Sequence, residues 1–150
     1  MAELKDRLRA DLTTAMKGRD ELGTATLRMV LSAVTAEEVA GKEARELTDD
    51  DVMAVLRREA KKRREAAEAF AGAGRAEQAE RERAEEGVIA TYLPAQLDDA
   101  DLAAIVADVV TTTGASGMKD MGRVMGAVQG AVAGRAEGGR VAAEVRRQLG

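Results

Sequence analysis

The 150-residue chain has no cysteine, no histidine and no tryptophan, and only one proline, one tyrosine and one phenylalanine. Without cysteine there is no disulfide, no thiolate metal site and no thiol nucleophile, which is compatible with a reducing compartment. Without histidine the usual general base at neutral pH and the commonest transition-metal ligand are missing, so a hydrolytic triad and a zinc site are excluded. With aromatics this scarce, Leu, Val, Ile, Met and Ala must fill the core. The lone proline is Pro94 and helix formers dominate elsewhere, so the expected fold class is all-α. Long apolar runs are also lacking: Glu3, Lys5, Asp6, Arg7 and Arg9 break up the N-terminus, and no stretch reaches bilayer-spanning length. The expectation is a soluble, cytoplasmic protein with no membrane partner. Neither sign of charge is in large excess, with 23 Lys and Arg against 27 Asp and Glu. Nucleic acid could therefore be held only by a local patch.

What the chain does have is amphipathic helix. The stretch from Thr48 to Phe70 organises the rest: Thr48 can cap, Asp49, Asp50 and Asp51 suit a first turn, and Val52, Val55, Leu56 and Phe70 share a face. Glu59 and Arg63 fall on that same apolar face. Before it, the periodicity predicts helices from Ala2 to Lys17, with Leu4, Leu8, Leu12, Ala15 and Met16 inward, and from Asp20 to about Ala40, with Leu27, Val30, Leu31 and Val34 inward. After it, Gly72 and Gly74 stop the helix, and a fourth runs from Ala76 to Thr91 around Val88, Ile89 and Tyr92. Three shorter helices follow Asp98, stopped or divided by Gly114 and the loop before Lys119. The expected organisation is an N-terminal four-helix lobe, 1–97, and a C-terminal three-helix lobe, 98–150.

Three constellations stand out. Arg28, Glu38, Glu59, Arg63, Glu82 and Glu85 lie on or beside the core-facing stripes of three consecutive helices. They read first as a buried ion-pair network fixing bundle register. A carboxylate set could instead hold Mg²⁺, but two arginines already neutralise this one, and no metal or other cofactor is expected. Arg57, Arg58, Lys61, Lys62 and Arg64 form an outward basic band, either a phosphate-binding patch or a solvated face with pairs such as Lys61–Glu65; no aromatic interleaves it for base stacking. Gly122, Gly126, Gly130 and Gly134 recur every fourth residue along the sixth helix, a smooth ridge for a close neighbour, flanked by Lys119, Arg123 and Arg135.

The order and spacing of TLR at 26–28, Glu38, KKR at 61–63, Phe70, AGR at 73–75, Glu82 and Glu85, YLP at 92–94 with Gln96 and Leu97, KDMGRVM at 119–125 and GRA at 134–136 resemble the GatB/YqeY family. The match is to its stand-alone YqeY-like members over essentially the whole chain. The resemblance implies two helical lobes, the second similar to the tail of the B subunit of tRNA-dependent amidotransferases, which contacts tRNA while the chemistry occurs in other domains. That family is associated with carbon–nitrogen ligation using glutamine as amide donor. This chain carries no matching catalytic domain and no nucleophile with a base, so no catalytic residue is assigned. The expected function is an accessory protein that binds tRNA or an amidotransferase or synthetase complex, using Lys119, Arg123 and Arg135, with Arg57, Arg58, Lys61 and Lys62 as a second patch. A protein-interaction adaptor docking through the C-terminal lobe is the alternative.

Overall fold

A computed structural model describes residues 3–150. Among them are seven α-helices and no strand: α1 (Glu3–Lys17), α2 (Glu21–Glu38), α3 (Asp49–Gly72), α4 (Ala76–Ala90), α5 (Asp99–Thr113), α6 (Met121–Val132) and α7 (Gly138–Leu149), with a 3-10 turn at Met118–Asp120 before α6. The expected first residue of α1, Ala2, lies outside the described residues. No described helix is long and apolar enough to cross a membrane.

The chain divides into two compact units, Met1–Leu93 and Pro94–Gly150. The break precedes the boundary expected between Leu97 and Asp98, for a local reason. Leu97 donates its N–H to the carbonyl of Arg135 at 2.8 Å, and its side chain packs in the second core.

In the first unit α3 is the central element. The Thr48 hydroxyl accepts from Asp51 N at 3.2 Å and the Asp51 carboxylate accepts from Thr48 N at 3.0 Å, a reciprocal cap that satisfies two otherwise orphaned N–H groups. Leu47, just outside that cap, is buried with Val52 in the same core, the staple geometry that fixes how the chain enters a helix. Asp49 also accepts from Leu4 N at 3.1 Å, tying the start of α1 to the start of α3. Gly74 takes φ +74 beyond the end of α3, a left-handed turn that glycine makes without a Cβ penalty. The chain then folds straight back as α4, which packs along α3. Leu8, Val30, Val34, Val55, Leu56 and Ile89 supply the fully buried centre.

The second unit closes α5, α6 and α7 around Val106, Val124, Val128, Val132, Val141 and Val145, all buried to completion. Here α6 begins two residues after the expected Lys119, because Met118–Asp120 first make a tighter turn. It ends at Val132 because Ala133 and Gly134 both take positive φ, 48 and 79. Three glycines of the expected ridge meet no close neighbour among the described residues: a Cβ added at Gly122, Gly126 or Gly130 would have no heavy atom outside the local helix backbone within 4 Å. Those three positions face solvent.

Candidate functional site

The polar cluster read from helical phase is present in part, and its centre is Arg63. This side chain is 7% exposed, and Glu59 and Glu85 are 6% and 7% exposed. Arg63 Nη1 donates to Glu59 Oε1 at 3.2 Å and to the Glu59 carbonyl at 3.0 Å. Its Nε lies 3.5 Å from Glu85 Oε1. Each buried carboxylate has a second cation at its outer oxygen: Lys62 Nζ reaches Glu59 Oε2 at 3.2 Å, and Arg81 Nε reaches Glu85 Oε2 at 3.2 Å. A buried charge is tolerable only when paired in this way. The network bolts α3 to α4, and Arg64 adds a second bolt to Glu86 at 2.9 Å. That pair gives a physical reason for a glutamate at position 86, half-buried between the helices.

Three expected members, Arg28, Glu38 and Glu82, stand apart from this centre. Arg28 is exposed: one residue past Leu27, it is turned about 100° away from the buried stripe. Among the described residues its one polar contact is from Nη2 to the Met16 sulfur, at 3.8 Å. Glu38 does continue the inward stripe of α2, but it meets Lys5 of α1 at 2.8 Å rather than Arg63. Glu82 is half-buried on α4 and forms no ion pair or hydrogen bond among the described residues.

Arg28, Glu59, Arg63, Glu82 and Glu85 nevertheless line one depression of about 530 Å³ between α2, α3 and α4, with Lys62, Met29, Ser32 and Ala66. The Met29 sulfur lies 3.6 Å from Arg63 Nη2. No group of three or more carboxylates capable of holding a metal ion occurs among the described residues. Within the depression, two buried glutamates already satisfied by guanidinium and ammonium groups do not suit a hard cation.

The basic band on α3 is mostly neutralised. Arg58 pairs with Glu37 at 3.4 Å, Lys61 with Glu65 at 3.9 Å, Lys62 with Glu59 and Arg64 with Glu86. Arg57 alone in that band has no carboxylate within ion-pair distance among the described residues. In the second unit, Arg123 is exposed and held by Asp120 at 3.1 Å and by the Thr113 carbonyl at 2.9 Å. Arg135 donates through Nε to the Val132 carbonyl at 3.3 Å and makes no ion pair among the described residues. Lys119 is exposed and lies within 4 Å of no carboxylate among the described residues.

Sequence reasoning missed Lys5, Arg81, Met29 and Ser32. Arg81 was legible as the i−4 neighbour of Glu85, whereas Lys5 depends on how α1 crosses α2. Met16, expected in the core, is 49% exposed and lies against Arg28 instead. Tyr92, expected as packing, is also a polar anchor. Its hydroxyl donates to Asp11, and the Arg7 guanidinium sits 4.7 Å above its ring.

A family model described as Yqey-like protein matches residues 5–149. An uncharacterised protein of Schizosaccharomyces pombe is 35% identical over 88 residues, covering 58% of this chain and 69% of the yeast protein.

Proposed function

This chain belongs to the YqeY-like protein family, and from that premise we propose that it is an accessory binding protein that engages tRNA, or a tRNA amidotransferase or synthetase assembly, through its second unit. Of the cations left without a carboxylate partner among the described residues, the pair that flanks α6 supports this reading. On α3, Arg58, Lys61, Lys62 and Arg64 are paired with Glu37, Glu65, Glu59 and Glu86, so at every member of the band but Arg57 a phosphate would have to displace an existing partner. At the start and just past the end of α6, Lys119 and Arg135 are not tied up in this way. Arg123 stands between them in sequence, its guanidinium held in place while its side chain remains exposed. Phosphate contacts of this kind are sequence-independent and release counterions.

Titration of labelled bulk tRNA tests the reading. Three phosphate contacts should weaken binding about 40-fold between roughly 50 and 200 mM salt, with Lys119→Glu and Arg135→Glu each flattening that dependence. Absence of binding at micromolar protein, or identical salt dependence in both variants, overturns it. A second reading is favoured by the solvent-facing glycines of α6: a protein adaptor that accepts a partner helix on that small-residue face. Gly126→Leu should then abolish a nuclease-resistant protein complex while leaving tRNA binding intact.

A further inference from the structure

The depression between α2, α3 and α4 contains two charges that the fold leaves unmatched. Of its lining groups, Arg63 is ion-paired with Glu59 and Glu85, though its buried Nε makes no hydrogen bond, and Lys62 is paired with Glu59. Arg81, outside the lining, completes Glu85. What remains is Arg28 on α2, which also lines a neighbouring depression with Met16 and whose one polar contact among the described residues is with that thioether, and a carboxylate on α4, Glu82, which has none among the described residues. They come from different helices and line the same depression. Ser32 lies four residues after Arg28 on α2, so its hydroxyl is on the same side of that helix. Met29 and Ala66 provide apolar surface in the same lining.

We propose that this depression binds a small zwitterion of the α-amino-acid type. The ligand carboxylate is taken by Arg28 with help from Ser32, its ammonium by Glu82, and its aliphatic body rests on Met29 and Ala66. A ligand with only a negative charge would satisfy Arg28 but would face Glu82 beside two buried glutamates. A ligand with only a positive charge would meet Arg28, Lys62 and Arg63. Only a molecule carrying both charges leaves neither pole unpaired. The volume, about 530 Å³, lies in the usual range for small-ligand sites. This site is in the first unit and uses none of the cations assigned to RNA, so either proposal can fail without the other.

The experiment follows the Met29 methyl resonance in methionine-labelled full-length protein while the free L-amino acids are added one at a time. At least one should shift it saturably, with a Kd of about 1 mM or tighter. The N-acetyl derivative of that amino acid, lacking the ammonium, and its amide, lacking the carboxylate, should each bind about tenfold more weakly or worse, as should the parent ligand to Arg28→Gln and to Glu82→Gln. Neither replaced residue is buried, so both variants should retain the parent helix signal. If no amino acid moves the resonance at about ten times that concentration, or if the blocked derivatives bind as well as the parent ligand, the assignment is wrong. Unchanged affinity in either variant rejects the pole given to that residue.

Discussion

Replacing Arg63 by alanine removes the one group that touches both buried glutamates, and its cost can be bounded from the contacts. Breaking a buried ion pair costs about 3–5 kcal/mol, because the surviving charge is stranded. Here Glu59 keeps Lys62 at 3.2 Å and Glu85 keeps Arg81 at 3.2 Å, both from the wet side. The loss should therefore fall near the low end, about 3 kcal/mol. For a unit of this size that corresponds to a drop in Tm of about 12–24 °C. Urea unfolding followed by helix ellipticity is the assay, with Glu85→Ala and the double variant completing a cycle. The pair should show a coupling of about 1 kcal/mol or more. An Arg63→Ala protein melting within about 2 °C of the parent would refute the claim that this cluster locks α3 to α4.

Other consequences follow from single contacts. Burial first, then the hydrogen bond to Asp11, push the Tyr92 phenol well above its ordinary value. The protonated folded form is thereby favoured, a stabilisation present below the ordinary tyrosine pKa of about 10 and lost as pH rises through the higher folded value. Because Tyr92 is the only tyrosine, phenolate absorbance reports it alone: at pH of about 11 the folded protein should show almost none, and half-ionisation near 10 contradicts the packing. Thr48→Ala should cost about 1 kcal/mol, read as a lower urea midpoint, by removing one half of the α3 cap. The Arg147 guanidinium, then the Gln148 amide, hold the Glu144 carboxyl down to about 2 from an ordinary 4.5. Its stabilisation is thus present above about pH 4.5 and disappears as pH falls towards 2. Glu144→Gln should be less stable than the parent at neutral pH, with the two converging in acid; a gap independent of pH refutes the pairing.

Helical phase made the central pair legible because Glu59 and Arg63 sit on a stripe already defined by Val52, Val55 and Leu56, and all five are buried. Caps were legible for the same kind of reason, being local: Thr48 and Asp98 each accept from the N–H three residues on. Partners across helices were not. That Glu38 meets Lys5, or Arg64 meets Glu86, depends on how neighbouring helices cross, which no single-helix pattern contains. Arg28 shows a finer limit. Adjacent to the buried Leu27, it was expected to flank the stripe, yet one step of 100° is enough to turn it outward to Met16. Of the glycines expected along α6, Gly122, Gly126 and Gly130 lie on the helix facing solvent, whereas Gly134 falls beyond its end at φ 79, because the four-residue spacing does not mark where the helix stops.

A chain that is 33% charged invites a functional reading from its basic runs, and the pairing pattern sets a competitor beside that reading. A helix places acids and bases three and four residues apart within reach of one another, and bundle packing adds partners from the next helix. The densest basic run, Arg57 to Arg64, is matched at every cation but Arg57 because it lies beside glutamates of α2, α3 and α4. Exposed pairs of this kind contribute little stability each, yet they occupy the cations that a phosphate would need. The proposed recognition groups are of the other kind: Lys119 and Arg135 flank α6, whose own residues include no acid, and Arg28 and Glu82 line the bundle depression without an ion-pair partner among the described residues. Charge left over after pairing, rather than charge density, is the quantity that points to a ligand here.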